Sequence, residues 1–166
     1  MRGIGICVGA TLVLGLCGFV AFGQGGRAPD PPAPKDKAAT WNMMELKAVG
    51  QELGATKTTT HRFFGEKGYN FEVRRLVGAQ PILQHGLKSD YMVIQDGEGT
   101  FMSGGELVNG KPGGEDKGDM RGDSIRGGVS HVLRPGDIMF VPAGVPHGFV
   151  ETKDHVTFAM IRFDTK

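Results

Sequence analysis

The sequence is nearly without thiols. Its only two cysteines, Cys7 and Cys17, both fall in the first 23 of 166 residues. That stretch, MRGIGICVGATLVLGLCGFVAFG, has one Arg near its start and then an unbroken run of small and apolar residues. Ala21 and Gly23 are small residues at the two positions a signal peptidase reads. Residues 1–23 are therefore expected to be a secretory signal peptide, which predicts a secreted or periplasmic, cell-envelope protein. An uncleaved leader is the one membrane contact the sequence offers. The chain after the leader has no cysteine, so disulfides, a thiolate nucleophile and Cys-based metal sites are all excluded.

Net charge is also close to absent. Lys and Arg total 19 against 18 Asp and Glu, a formal charge of +1, and loss of Arg2 with the leader brings the balance to zero. No basic footprint for nucleic acid is present. Proline numbers only nine beside 28 glycines and there is no Gly-X-Y period, so collagen is excluded. With 39% hydrophobic and 22% charged residues, the chain has enough apolar material for one packed domain.

Residues 24–40, QGGRAPDPPAPKDKAAT, lack large apolar side chains and are expected to be a disordered Pro/Ala/Gly-rich tether. Residues 41–57 predict a short helix and lead-in. Asn42 caps it, Glu45 closes a capping box, and Met43, Leu46, Val49 and Leu53 form one apolar stripe that ends at Gly54. From residue 58 to 166 the period changes to two. Strands are expected at 58–64, 69–76, 80–85, 90–95, 99–108, 129–133, 137–141, 148–151 and 156–163. Many short strands with Gly-rich turns predict an all-β sandwich or barrel. Residues 103–128 are Gly-rich and charged and predict a long loop. Arg121-Gly122-Asp123 lies there, a tripeptide short enough to arise by chance. Arg74 and Arg75 are neighbours in a strand, so alternation sends them to opposite faces and one of them can meet an anionic ligand.

Residues 136–147 read GDIMFVPAGVPH. Gly136-Asp137 turns into a strand, Pro142 ends it, and Gly144 allows the turn that brings His147 back inward. The spacing of Gly136, Pro142, Gly144 and His147 resembles the second sequence motif of the cupin superfamily. A first motif lies upstream, opened by Gly78 and closed by Asp90 and Gly97, with His85 four residues before Asp90. Where the family has Glu this chain has Asp90, and where it has an earlier His this chain has Leu83. In a register one residue shorter, Gln84 and Gly86 take the two histidine positions instead. The family's Asn after the second-motif His is here Glu151. The chain is most similar to small exported bacterial cupins of uncharacterised function.

This resemblance implies a cupin-type jelly-roll β-barrel with a short N-terminal helix. It also implies a divalent metal, Fe, Mn, Ni or Zn, held by His85, Asp90 and His147, with Gln84 as a weak fourth ligand. Glu151 is the expected catalytic base or partner of His147. Tyr91, Phe140 and Phe149 are expected to contact a small-molecule ligand. Three functions remain open. One is a metal-dependent enzyme acting by oxygenation, isomerisation, elimination or decarboxylation. A second is a non-catalytic module that binds a small ligand such as a sugar or organic acid. A third is a structural or interaction domain of the cell envelope. A homodimer is compatible with each.

Overall fold

The computed structural model describes residues 29–165; the leader expected at residues 1–23 lies outside them. No helix among the described residues is long and apolar enough to cross a membrane.

Among the described residues one helix, α1 (Met43–Thr56), precedes eleven strands. Its N-terminus forms as expected. The Asn42 side chain accepts from the Met44 and Glu45 N–H groups, and the Glu45 carboxylate accepts from the Asn42 N–H. Replacing Asn42 with Ala leaves two of these N–H donors without that acceptor, and urea denaturation should show a loss of about 1 kcal/mol. The helix runs two residues past Gly54 and ends on Lys57 in the left-handed region. Leu46 and Leu53 are buried, whereas Met43 at the first turn is exposed.

The strands are β1 (Thr60–Glu66), β2 (Tyr69–Leu76), β3 (Ile82–Gln84), β4 (Lys88–Ser103), β5 (Glu106–Val108), β6 (Lys111–Pro112), β7 (Met120–Gly122), β8 (Ser124–Arg126), β9 (Val129–Leu133), β10 (Ile138–Val141) and β11 (His147–Asp164). All pairings are antiparallel. Two strands carry the fold. β4 and β11 each fuse two segments expected to be separate, and they pair with one another from His147↔Ser103 to Asp164↔Lys88. β2 and β3 also pair with β11, and β9 and β10 with β4.

Strand alternation sorts side chains into two cores. Leu76, Met92, Ile94, Phe101, Phe149, Val156, Phe158 and Met160 fill the inside of the curled sheet. Phe71, Val73 and Ala159 point to the opposite face, where Leu46 and Leu53 of α1 cover them. Trp41 packs there with its ring centroid 5.0 Å from that of Phe71 and the two planes tilted by 56°.

Two expectations need correction. The segment at 103–128 is not a structureless loop: it folds into β5 to β8, and β7 pairs with β3 beside the barrel mouth. The described part of the Pro-rich stretch, residues 29–40, has no helix or strand, yet residues 30–33 lie along β1. Asp30 pairs with Arg62 at 2.7 Å, the Gly65 N–H donates to the Pro31 carbonyl, and the Ala33 N–H donates to Glu66.

Candidate metal centre

Three of the expected ligands meet inside the barrel. His85 follows β3, Asp90 lies near the start of β4, and His147 opens β11. All three are buried, and one ligand atom from each lies within 4.8 Å of the others. Asp90 Oδ2 is 3.4 Å from His147 Nε2 and 3.8 Å from His85 Nε2. The two imidazole rings are 5.4 Å apart. The two motif turns are joined directly: Gly144, at φ 87°, donates its N–H to the His85 carbonyl at 2.7 Å. A side chain there would strain the turn that sets His147 against His85.

Both rings are held by their far nitrogens. His147 Nδ1 lies 2.8 Å from the Val145 carbonyl oxygen. A carbonyl only accepts, so Nδ1 carries a proton and Nε2 is the nitrogen that faces Asp90. His85 Nδ1 lies 3.1 Å from the Asp119 carboxylate, which also accepts from the Gly86 and Asp116 N–H groups. Burial, reinforced by the Arg162 cation, holds His85 below its ordinary pKa, and nearby carboxylates only partly offset this. The ring is thus neutral at neutral pH. Its Nε2 is buried and has no hydrogen-bond partner. Two imidazole Nε2 atoms and a carboxylate oxygen therefore face a common point, a donor set that suits a divalent cation.

Asp90 has a second role. Arg162 grips it with both arms of the guanidinium, Nε to Oδ1 at 2.6 Å and the terminal nitrogen to Oδ2 at 3.0 Å. Burial alone would raise the Asp90 pKa. Hydrogen bonding and charge from His147 and Arg162 outweigh it and hold the carboxyl well below the usual range. Oδ2 is the oxygen that lies near both imidazole Nε2 atoms, so it is the one Asp90 presents to a metal.

The remaining expected site residues fall elsewhere. Leu83 and His85 share the inward face, so Gln84 between them points out and borders a separate hollow with Leu107, Met120 and Gly144. Leu83 thus holds the place of the missing histidine. Glu151 is exposed. By alternation with Phe149 it should point inward, but a bulge shifts the register from Phe149↔Phe101 to Glu151↔Thr100. One extra residue sends it to the outer face. Tyr91 and Phe140 are cross-strand neighbours on that outer face and are exposed. Phe149 is buried and does line the cavity.

Three residues enter the site that motif reading did not supply. Arg162 was legible in principle, because Val156, Phe158, Met160 and Arg162 share one face of β11. Asp119 and Arg121 come from the Gly-rich insert, where no local pattern marks them. Arg74 faces the cavity and Arg75 the outside, as alternation requires. Replacing Asp119 with Ala should lower metal affinity by about 10–100-fold, because an imidazole loses its orienting carboxylate. Competition against a chelator reads that loss.

No family model and no curated protein matches the chain. Solved structures do. A Bacillus halodurans protein matches at a TM-score of 0.54 with 8% identity, over 82% of this chain and 87% of its own. Hydroquinone 1,2-dioxygenase, solved with Cd2+ and 4-hydroxybenzonitrile, matches at 0.52 with 14% identity, over 81% and 83%. The cupin domain of Schizosaccharomyces pombe Cnp3 matches at 0.47 with 10% identity, over 64% of each chain. With the turn of residues 136–147 placed at the mouth of the curled sheet, the topology and the likenesses to the first two structures identify the chain as a protein of the cupin-type jelly-roll fold.

Proposed function

We propose that this protein holds one divalent metal ion at His85, Asp90 and His147 and uses it to bind, or act on, a small organic molecule in the barrel. The buried, unpartnered Nε2 of His85 carries this reading. It lies near a second imidazole and an ionised carboxylate, and burying such an atom without a partner is costly. Two imidazoles and a carboxylate suit Fe, Mn, Ni or Zn. When bound, the ion would polarise an oxygen of the ligand.

The chain's own residues supply the rest. Asp119 and the Val145 carbonyl fix both ring orientations. Arg162 holds Asp90 ionised and in place. Leu76, Met92, Phe101, Phe149, Phe158 and Met160 make a dry wall next to the cluster. The cavity beside Asp90 and His147 is about 110 Å³, and the hollow beside His85 is about 230 Å³, which sets the ligand at the small end of the usual range.

Two observations favour binding over turnover. Leu83 removes one ligand position, and Glu151, the expected base, faces solvent. On the leader reading of residues 1–23, the protein works outside the cytoplasm. The test is titration of chelator-stripped protein with Fe(II), Mn(II), Ni(II) and Zn(II), followed by calorimetry and thermal denaturation. One site per chain and a metal-dependent rise in the melting temperature are expected. Failure of all four ions to bind stoichiometrically would sink the proposal.

A further inference from the structure

Four arginines line the cavity, and carboxylates hold only two of them by hydrogen bonds. Arg62, Arg74, Arg121 and Arg162 line the two connected hollows against Glu72, Asp90 and Glu115. Two of the four are fully committed. Arg162 is bidentate on Asp90. Arg62 takes Glu72 through two nitrogens at 2.9 and 2.7 Å, Asp30 at 2.7 Å, and Glu115 at 3.3 Å.

The other two are not. The Arg74 Nε is buried without a hydrogen bond, and the carboxylate nearest it, Glu72, is 3.9 Å away and already engaged by Arg62. Arg121 makes no ion pair among the described residues, yet it borders both hollows from β7. The shared boundary of the two hollows is Arg74, Leu83, Arg121 and Arg162. That puts the two uncommitted guanidiniums beside the two histidines, with the apolar wall on the far side.

From this arrangement we infer a built anion subsite: Arg74 and Arg121 recognise the carboxylate or phosphate oxyanion of a small organic acid whose apolar body rests against Leu76, Phe149 and Met160. Guanidinium donors pair with planar oxyanions in two-point contacts, and a low-dielectric wall strengthens them. The inference deepens the small-molecule reading of the cavity and does not depend on the metal. It gives the Gly-rich insert a function, because β7 carries Arg121 to the mouth.

The test uses calorimetry on metal-free and metal-loaded protein. The probes are benzoate, succinate and inorganic phosphate, with benzamide and succinamide as neutral counterparts. Anions should bind in the metal-free protein, the amides should not, and affinity should fall as salt rises. Phosphate against the two carboxylates tells which oxyanion is preferred. Arg121→Gln should weaken binding about ten-fold or more, with Arg121→Lys between it and the parent. Arg121 is exposed, so its variants should keep the parent's melting temperature. Arg74→Gln supplies a second, half-buried probe.

Equal binding of amides and acids would overturn the subsite, as would anion affinity unchanged by both substitutions. So would anion binding that needs the metal and ignores Arg121, although the metal proposal would then survive. Arg-dependent anion binding by a protein that takes up no metal leaves the subsite standing and removes the metal. Silence from every probe in both forms also overturns the subsite.

Discussion

Arg162→Met should cost the metal-free protein about 3–5 kcal/mol of folding stability, measured by urea denaturation at neutral pH. Asp90 is 2% exposed and Arg162 5% exposed. Removing the guanidinium leaves an ionised carboxylate inside the barrel without its bidentate partner, with only the imidazoles and the more distant Arg74 to compensate it. Asp90→Asn should cost a similar amount, because it leaves the guanidinium buried with an amide in place of its counter-charge. The double variant Asp90→Asn/Arg162→Met should recover much of the loss, since neither buried charge then remains. Metal and Arg162 should also substitute for one another in part. A bound dication compensates Asp90, so Arg162→Met should be less damaging in metal-loaded protein.

The pH dependence has a definite sign. Asp90 has a depressed folded-state pKa, so its stabilising contribution is intact above the usual carboxylate range. It fades as the pH falls from there toward the folded-state value. The parent protein should thus lose stability in acid, and Asp90→Asn should lose less over the same interval.

The second large effect concerns metal retention. His147→Ala and His85→Ala should each reduce affinity for the divalent ion by several orders of magnitude, to the point where no stoichiometric metal survives desalting. Each removes one of only three ligands, and Leu83 offers no replacement. Gln84→Ala and Glu151→Ala should leave metal content unchanged, because both side chains face away from the cluster. A loss of metal in either would contradict the strand register described above.

Much of this site was legible because its parts obey local rules. Gly136, Pro142, Gly144 and His147 make a turn whose geometry needs those residue types at that spacing. His85 and Asp90 lie on one short stretch of chain. Alternation alone sorted Arg74 from Arg75, and the same rule applied to β11 leads to Arg162.

What remained hidden was set by longer-range geometry. The bulge after Phe149 is a single-residue slip, and it reverses the face of Glu151 without any mark in composition. Tyr91 and Phe140 have the look of pocket residues, but their strand neighbours Asp90, Met92 and Val141 take the inner face. Asp119 meets His85 across 34 positions of sequence. It does so because the Gly-rich insert folds back as β7 on β3, and a pairing of three residues is too short to announce itself as a strand.

X-ray absorption at the metal edge of the reconstituted protein tests the central claim most directly. The predicted spectrum shows two imidazole nitrogens and one carboxylate oxygen at about 2.0–2.2 Å, the remaining scatterers being water or an added anion. His147→Ala should remove one imidazole contribution or the metal altogether. A shell without imidazole scattering, or the same spectrum from the His85→Ala/His147→Ala double variant, would contradict a metal centre at His85, Asp90 and His147.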